Sequence, residues 1–247
     1  MVDMHSHILP GVDDGAEFYD ESHQMLDIAV QNGTEMLVLT PHYTIASTPR
    51  EISAEELNER FEIFSQKAAR DFPNLSLMFG AELFISESML RQPFEKCLVP
   101  INNTSYVLIE FDFHEQAYIA EYALEKIIAA GYRPIVAHPE RYRMFYRDVN
   151  LCEKFIQKGC LFQMNAGSPF GQYGSQAEEF SYWMLRREYV HCVGSDAHSP
   201  YQRTPDMSQS YAFVSMHFSQ KYCHQIFKEN PRIILSNDII KISEEPI

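Results

Sequence analysis

The sequence predicts an α/β fold in which about seven parallel strands, each followed by a helix, curl into a closed or nearly closed barrel. Three observations predict it. Strand-like and helix-like segments alternate almost throughout. Three helix patterns end at Gly33, Gly131 and Gly159, each followed directly by an apolar strand, which is the left-handed cap of an αβ connection. The length of 247 residues, without a low-complexity linker or matching repeat, suits one barrel, so residues 1–247 are read as a single domain.

The opening stretch, MVDMHSHILPGVDDG, is an apolar-alternating strand, then a Pro10-Gly11 turn, then the carboxylate pair Asp13-Asp14. From Asp20 to Asn32, Met25, Ile28 and Ala29 keep a helical spacing, with acids in the first turn and Gly33 as the stop. Glu35 to Thr40 reads as a buried strand ending at Pro41-His42. Ser53-Ala54-Glu55-Glu56 is a capping box opening a helix that reaches about Phe72. Strands are expected at 75–82 and 105–110, a helix over 115–130 and a strand over 133–138. A short helix over 151–158 precedes a strand at 160–165, and a helix over 176–188 precedes a strand at 189–196. Residues 207–230 read as one helix closed by Asn230-Pro231, and the charged tail from about Ile239 is expected to fray.

Bulk properties exclude several classes. With 45% hydrophobic and 22% charged residues the composition is that of a soluble globular protein. No apolar run approaches the ~20 residues that span a bilayer. Asp3 and His5 stand where a signal peptide would need a basic start and an apolar core, so a cytoplasmic protein is expected. The five cysteines, Cys97, Cys152, Cys160, Cys192 and Cys223, are scattered and read as free thiols; Cys192, on the parity of Asp196, reads as a packing residue. A formal charge of −14 without a basic stripe argues against nucleic acid.

The chemistry collects at the C-terminal ends of the strands. His5 and His7 end the first, with Asp14 just beyond; His42, Glu82, Glu110 and His138 end the next four; Asp196 and His198 end the last. In a parallel barrel these ends ring one mouth, where such folds place active sites. Unpaired charged groups are costly to bury, so nine imidazoles and carboxylates at equivalent positions indicate a metal site. Nine donors exceed one tetrahedral ion; two or three divalent ions sharing carboxylates fit better. A mixed imidazole and carboxylate set without thiolate suits manganese, iron or zinc. Arg141 and Arg203 follow these ligands closely, and guanidinium forks bind phosphate. Three divalent ions against four ligand carboxylates leave an excess of about two positive charges, which suits a phosphate dianion despite the acidic chain. A cysteine-dependent phosphatase is excluded, because no cysteine has an arginine six positions on.

The order His5-Ser6-His7, Asp13-Asp14-Gly15, Pro41-His42-Tyr43, Gly80-Ala81-Glu82, Ile109-Glu110-Phe111, Ala137-His138-Pro139-Glu140-Arg141, Gln163 to Ser168 (QMNAGS) and Gly194 to His198 (GSDAH) resembles the PHP (polymerase and histidinol phosphatase) superfamily. Within it, the chain is similar to bacterial manganese-dependent protein-tyrosine phosphatases of the CpsB/CapC type, from Met1 to Asn230-Pro231-Arg232. The resemblance implies a distorted (β/α)7 TIM-like barrel and three divalent metal ions, Mn2+ first, with Fe or Zn as alternatives. It implies one ion on His5, His7, Glu82 and Asp196, a second on Glu82, Glu110 and His138, and a third on Asp14, His42 and His198. Arg141 and Arg203 would hold the phosphate, and with His42 they are the residues expected to take part in catalysis. The implied partner is a phosphotyrosine protein: the tyrosine-rich tail of a bacterial tyrosine autokinase controlling capsule or exopolysaccharide export. The expected chemistry is in-line attack of metal-bound hydroxide on phosphorus.

Two alternatives stay open: a small-molecule phosphomonoesterase of the histidinol-phosphate kind, and a non-catalytic metal-binding barrel that regulates a partner. His23, His114, His191, His217 and His224 read as surface or satisfied core residues. Tyr43, Phe111, Phe113 and Tyr142 either stack on a phosphotyrosine ring or belong to rim and core. Gln163 and Asn165 point inward, either to bond a ligand or to serve structure alone.

Overall fold

The structure, a computed structural model, describes residues 1–43, 52–87, 89–91 and 98–240. Its strands are β1 (Val2–Asp3), β2 (Met36–Leu39), β3 (His42–Tyr43), β4 (Ser76–Phe79), β5 (Glu82–Phe84), β6 (Tyr106–Glu110), β7 (Arg133–Ala137), β8 (Leu161–Asn165) and β9 (Cys192–Gly194). All pair in parallel, in the orders β1-β2-β4 and β3-β5-β6-β7-β8-β9. β2 bends into β3 and β4 into β5, and the amides of Gly80 and Glu82 bond the carbonyls of Leu39 and Pro41 at 2.9 and 3.0 Å across those bends. The nine described segments therefore make seven runs. The last run returns to the first through the Ser6–Ala197 bridge and the bonds from Asp196 N to His5 O and from His7 N to Ala197 O, at 2.8 and 2.9 Å.

Inside, the alternation of side chains separates a dry floor from a polar mouth. Val2, Met4, Val38, Tyr106, Leu108, Ile135, Leu161 and Cys192 fill the lower barrel with Ile234, Leu235 and Ile240. One or two pleats higher on the same faces come Glu110, Gln163, Asn165 and Asp196. The opposite faces, Leu83, Val107, Ile109, Val136, Phe162 and Val193, pack outward with residues such as Ala120, Leu124, Phe155 and Met184. These come from the helices α3 (Ala117–Ala129), α5 (Asn150–Gln157) and α6 (Ser175–Arg186). Cys192 is thus a packing residue, and Cys152, Cys160 and Cys223 are also buried free thiols; Cys97 lies outside the described residues.

The helices follow their sequence signals. α1 (Tyr19–Gln31) buries Met25, Leu26 and Ala29. α2 (Ala54–Asp71) is capped by Ser53, whose hydroxyl accepts from Glu56 N at 3.1 Å, as the capping box requires. Gly33, Gly131 and Gly159 have φ of +85°, +87° and +88°, the left-handed cap expected. Between β7 and α5 stands a helix the sequence did not announce, α4 (Arg143–Arg147), too short for periodicity to reveal.

The segment 207–230 is not one helix. α7 (Ser208–His217) stops at Phe218, Ser219 caps α8 (Gln220–His224), and a π turn (Gln225–Glu229) leads into α9 (Asn230–Leu235). Asn230-Pro231 opens α9 where it was expected to close a helix, because a proline in the first turn needs no amide partner. At the tail, Ile239 is exposed and Ile240 packs on the barrel floor; residues 241–247 lie outside the described residues. No described helix is long and apolar enough to cross a membrane.

Candidate metal centre

The tautomers of the first two histidines follow from the carboxylates around them. Asp196 Oδ2 can only accept, so Asn165 Nδ2 donates to it at 2.6 Å. That leaves Asn165 Oδ1 to accept from Gln163 Nε2 at 3.0 Å, and Gln163 Oε1 to accept from His5 Nδ1 at 2.7 Å. His7 Nδ1 likewise donates to Asp13 Oδ2 at 2.7 Å. In the neutral form that a metal ligand takes, both imidazoles therefore present a bare Nε2, and the two Nε2 atoms face each other at 3.1 Å. Two acceptors so placed call for a cation between them.

The surrounding acids complete the set. Glu82 Oε2 lies 3.2 and 3.3 Å from the two Nε2 atoms, and Asp196 Oδ1 lies 3.6 and 3.4 Å from them. A tetrahedral ion with ligands ~2.1 Å away has donor-to-donor edges of about 3.4 Å. His5, His7 and Asp196 lie close enough together to hold one divalent ion, and Glu82 Oε2 is within reach of both Nε2 atoms.

Glu82 also belongs to a second group. Its Oε1 is 3.0 Å from His138 Nε2, and Glu110 Oε1 is 3.6 Å from the same nitrogen. His42 Nδ1 stands 3.1 Å from Glu82 Oε2 and 3.7 Å from Glu110 Oε2. A third group gathers on Asp14, whose Oδ1 is 3.4 Å from both His42 Nε2 and His198 Nε2. His198 Nδ1 donates to the Asp196 carbonyl at 2.9 Å, which again leaves Nε2 bare. All nine expected donors thus meet in one connected cluster. His42, expected in the third set alone, borders the second as well.

Local backbone makes this convergence possible. The Pro10-Gly11 turn is closed by bonds from Gly11 N to Ala16 O and from Ala16 N to His7 O, at 2.8 and 3.1 Å, which brings Asp14 back over the mouth. Gly15 touches the His7 backbone and Gly194 the His5 side chain, so closely that an added Cβ would lie 2.0 Å from His7 O and 2.5 Å from His5 Cβ. His138 and Asp196 have φ of +34° and +52°, sparsely populated values for non-glycine residues that aim both side chains inward.

The electrostatics reflect crowded charge. Burial alone would raise Glu82, but His5, His138 and His42 around it hold it well below the usual carboxylate range. Burial, reinforced by the charge of Glu82, pushes Glu110 up to about 7. Burial lowers His138 to about 4, whereas for His7 the carboxylates of Asp13, Asp196 and Glu82 outweigh burial and raise it. The His198 imidazole beside it holds Asp14 low.

The two arginines reach the cluster on one side, at Asp196. Arg203 Nη2 is 2.5 Å and Arg141 Nη1 3.4 Å from Asp196 Oδ2. Between them lies Tyr173, its ring 4.5 Å from the Arg141 guanidinium carbon and 5.7 Å from that of Arg203. Phe113 faces Arg141 at 4.3 Å. Phe111 and Tyr142 are core residues, Phe113 is partly exposed, and Tyr43 is half-buried. Gln163 and Asn165 hydrogen-bond His5 and Asp196, two of the clustered donors. His191 is a satisfied core residue whose Nδ1 accepts from Phe162 N at 3.0 Å, while His23, His114, His217 and His224 lie at least partly exposed.

Sequence reasoning missed three contributors. Asp13 was visible as half of a carboxylate pair, yet its part, holding His7 and accepting from His42 N at 3.0 Å, depends on the loop path. Tyr173 has no motif around it. Glu140, buried in the His138-to-Arg141 motif, accepts from Asn165 N at 2.8 Å and Ser168 Oγ at 2.6 Å and braces the strand end.

Comparison with known proteins agrees with this geometry. The chain is 30% identical over 247 residues to the tyrosine-protein phosphatase CpsB of Streptococcus agalactiae, covering 97% of this chain and 100% of that protein. It is 30% identical over 245 residues to the tyrosine-protein phosphatase YwqE of Bacillus subtilis, covering 97% and 93%. Among solved structures, a chain from the crystal structures of YwqE from Bacillus subtilis and CpsB from Streptococcus pneumoniae, described as metal-dependent tyrosine phosphatases, superposes with a TM-score of 0.89 at 28% identity, over 100% of this chain and 99% of that one. The phosphotriesterase homology protein of Escherichia coli, at TM-score 0.58 and 13% identity over 89% and 90% of the two chains, shares the fold alone. A family profile described as capsular polysaccharide synthesis, CpsB/CapC, matches residues 1–236, and the chain belongs to that family.

Proposed function

We propose that the chain is a metal-dependent protein-tyrosine phosphatase of one domain, working at the barrel mouth. The observation that carries this reading is the pair of bare Nε2 atoms of His5 and His7, facing each other at 3.1 Å within a ring of acids. Three divalent ions, manganese first and iron or zinc as alternatives, suit nine imidazole and carboxylate donors that include no thiolate. His5, His7, Glu82 and Asp196 would hold one, Glu82, Glu110 and His138 the second, and Asp14, His42 and His198 the third. When bound, such ions supply Lewis acidity at phosphoryl oxygens and make water a usable nucleophile at neutral pH.

The chain's own residues do the remainder. Asp13 and Gln163 keep the His5 and His7 lone pairs aimed at the cluster. Arg141 and Arg203 are the cations at its rim, with donor forks matched to phosphate oxygens. Loss of a phenolate whose parent pKa is ~10 needs little proton donation, so no general acid is assigned. The substrate is phosphotyrosine on a protein, the tyrosine-rich tail of a bacterial tyrosine autokinase in capsule or exopolysaccharide synthesis. The family's connection with capsular polysaccharide supports that reading, and a cytoplasmic location suits four buried free thiols.

The test is hydrolysis of a phosphotyrosine peptide by purified protein, with metal content measured in parallel. Activity should stop on chelation, return with manganese, and accompany about three equivalents of metal, as three donor sets require. Activity that survives chelation, or that is lost to thiol alkylation alone, overturns the proposal. A kcat/KM higher for histidinol phosphate than for the peptide would transfer it to the small-molecule class.

A further inference from the structure

Beside the cluster opens a cleft of about 750 Å³ whose walls differ in charge from the rest of the chain. Arg141, Arg143 and Arg147 line it together with Phe113, Tyr146 and Tyr173, and no carboxylate does. In a chain of formal charge −14, three arginines within seven residues reverse the local field. The short helix α4 makes the arrangement. Its Met144 and Phe145 are buried in the core, which turns Arg143, Tyr146 and Arg147 toward the cleft, the two arginines one turn apart. The amide of Arg143 is fixed to Phe113 O at 3.0 Å. Neither Arg143 nor Arg147 has an ion-pair partner among the described residues, in contrast to Arg141 and Arg203, which lie on Asp196. Across the cleft, Gln176 and Ala177 belong to the first turn of the twelve-residue α6, which also holds Glu178, outside the cleft lining.

We propose that Arg143 and Arg147, with Tyr146 beside them, form a second anion subsite that binds a negatively charged side chain of the same substrate protein, close in sequence to the phosphotyrosine being hydrolysed. The inference rests on the phosphatase reading of the metal cluster and deepens it. Arg141 and Tyr173 join the two places, since both touch Asp196 and both line the cleft. A peptide laid through the cleft presents one phosphoryl group to the cluster and a neighbouring anion to α4. Guanidinium forks and aromatic faces suit a second phosphotyrosine as well as a glutamate or aspartate.

The experiment uses the metal-loaded enzyme and three peptides of one sequence: a single phosphotyrosine, the same with a nearby glutamate, and the same with a second phosphotyrosine. For the wild type, kcat/KM should rise about tenfold from the first peptide to the preferred anionic one, the size of one charge-assisted contact. Which of the two shows the rise identifies the anion. R143Q/R147Q should lose that preference through KM, and R143E/R147E should reverse it. In parallel, binding of non-hydrolysable phosphonate versions of the peptides to wild type and R143Q/R147Q should show the same loss. No preference in the wild type, or a double variant that weakens all three peptides equally, overturns the subsite. Absence of hydrolysis of every peptide by the wild type, with the phosphonate preference intact, overturns the phosphatase reading and leaves the subsite standing.

Discussion

Asp196 serves two environments through its two oxygens. Oδ1 faces His5 and His7, and Oδ2 receives Asn165, Arg203 and Arg141. The separation lets one carboxylate neutralise ligand-side and rim-side positive charge at once. Residues arranged in this way should fail individually and distinguishably. His5→Ala should cost the ion between His5 and His7, and Asp14→Ala a different one, which elemental analysis of each variant reads directly. Gln163→Leu frees the His5 ring to turn and should cost roughly 10–100-fold in metal affinity, measured by competition with a chelator, with unchanged far-ultraviolet circular dichroism. The clustered imidazoles and carboxylates were legible in the sequence because His and Glu at the ends of apolar strands have no packing reason to be there. Asp13 and Tyr173 were not, because their contacts depend on how two loops return, and loops carry no period.

The same contrast holds for elements. Strands β6, β7 and β8 appear within a residue of the expected bounds, since each is buried almost throughout, with polar residues only at positions that face the mouth or at the strand ends. The run 75–82 reads as one strand but is bent at Gly80, where an added Cβ would lie 3.2 Å from the Ile101 side chain. The last helical region looks continuous because π and α turns share a similar apolar pattern. It breaks at Phe218, where Ser219 caps α8, and changes from α to π geometry over Gln225–Glu229 before Pro231. Gly194→Ala drives a methyl group against His5 and should lower metal content and thermal stability together. Ser53→Ala on α2, whose visible cap is the hydroxyl bond to Glu56 N, should cost about 1 kcal/mol in urea unfolding and leave metal content unchanged.

At the level of the whole molecule, stability is tied to protons and to cations. His191 is buried and its pKa is lowered to about 4 by burial. The unfolded chain therefore takes up a proton that the native protein refuses, and native stability falls as pH drops from about 6.5 toward 4. The full effect is about 3 kcal/mol. His191→Gln, which keeps an acceptor for the Phe162 amide, should flatten that acid limb in urea titrations relative to wild type. Chelation should lower Tm, since ions that bind only the native cluster stabilise it by mass action. A Tm indifferent to chelator would contradict the metal centre.

The closure of the barrel has a consequence for how the protein comes into being. Asp3 accepts from Ser195 N at 2.9 Å across 192 residues of chain, and the His5 carbonyl accepts from Ser195 Oγ across 190. His5 and His7 therefore wait for about 190 further residues before Asp196 and His198 join them. Loop closure over such a span comes late in folding. A chain that binds ions at this cluster should therefore complete their donor set only once residues 196 and 198 have joined it, and its metal content should follow the growth medium, which elemental analysis of protein from different media reads.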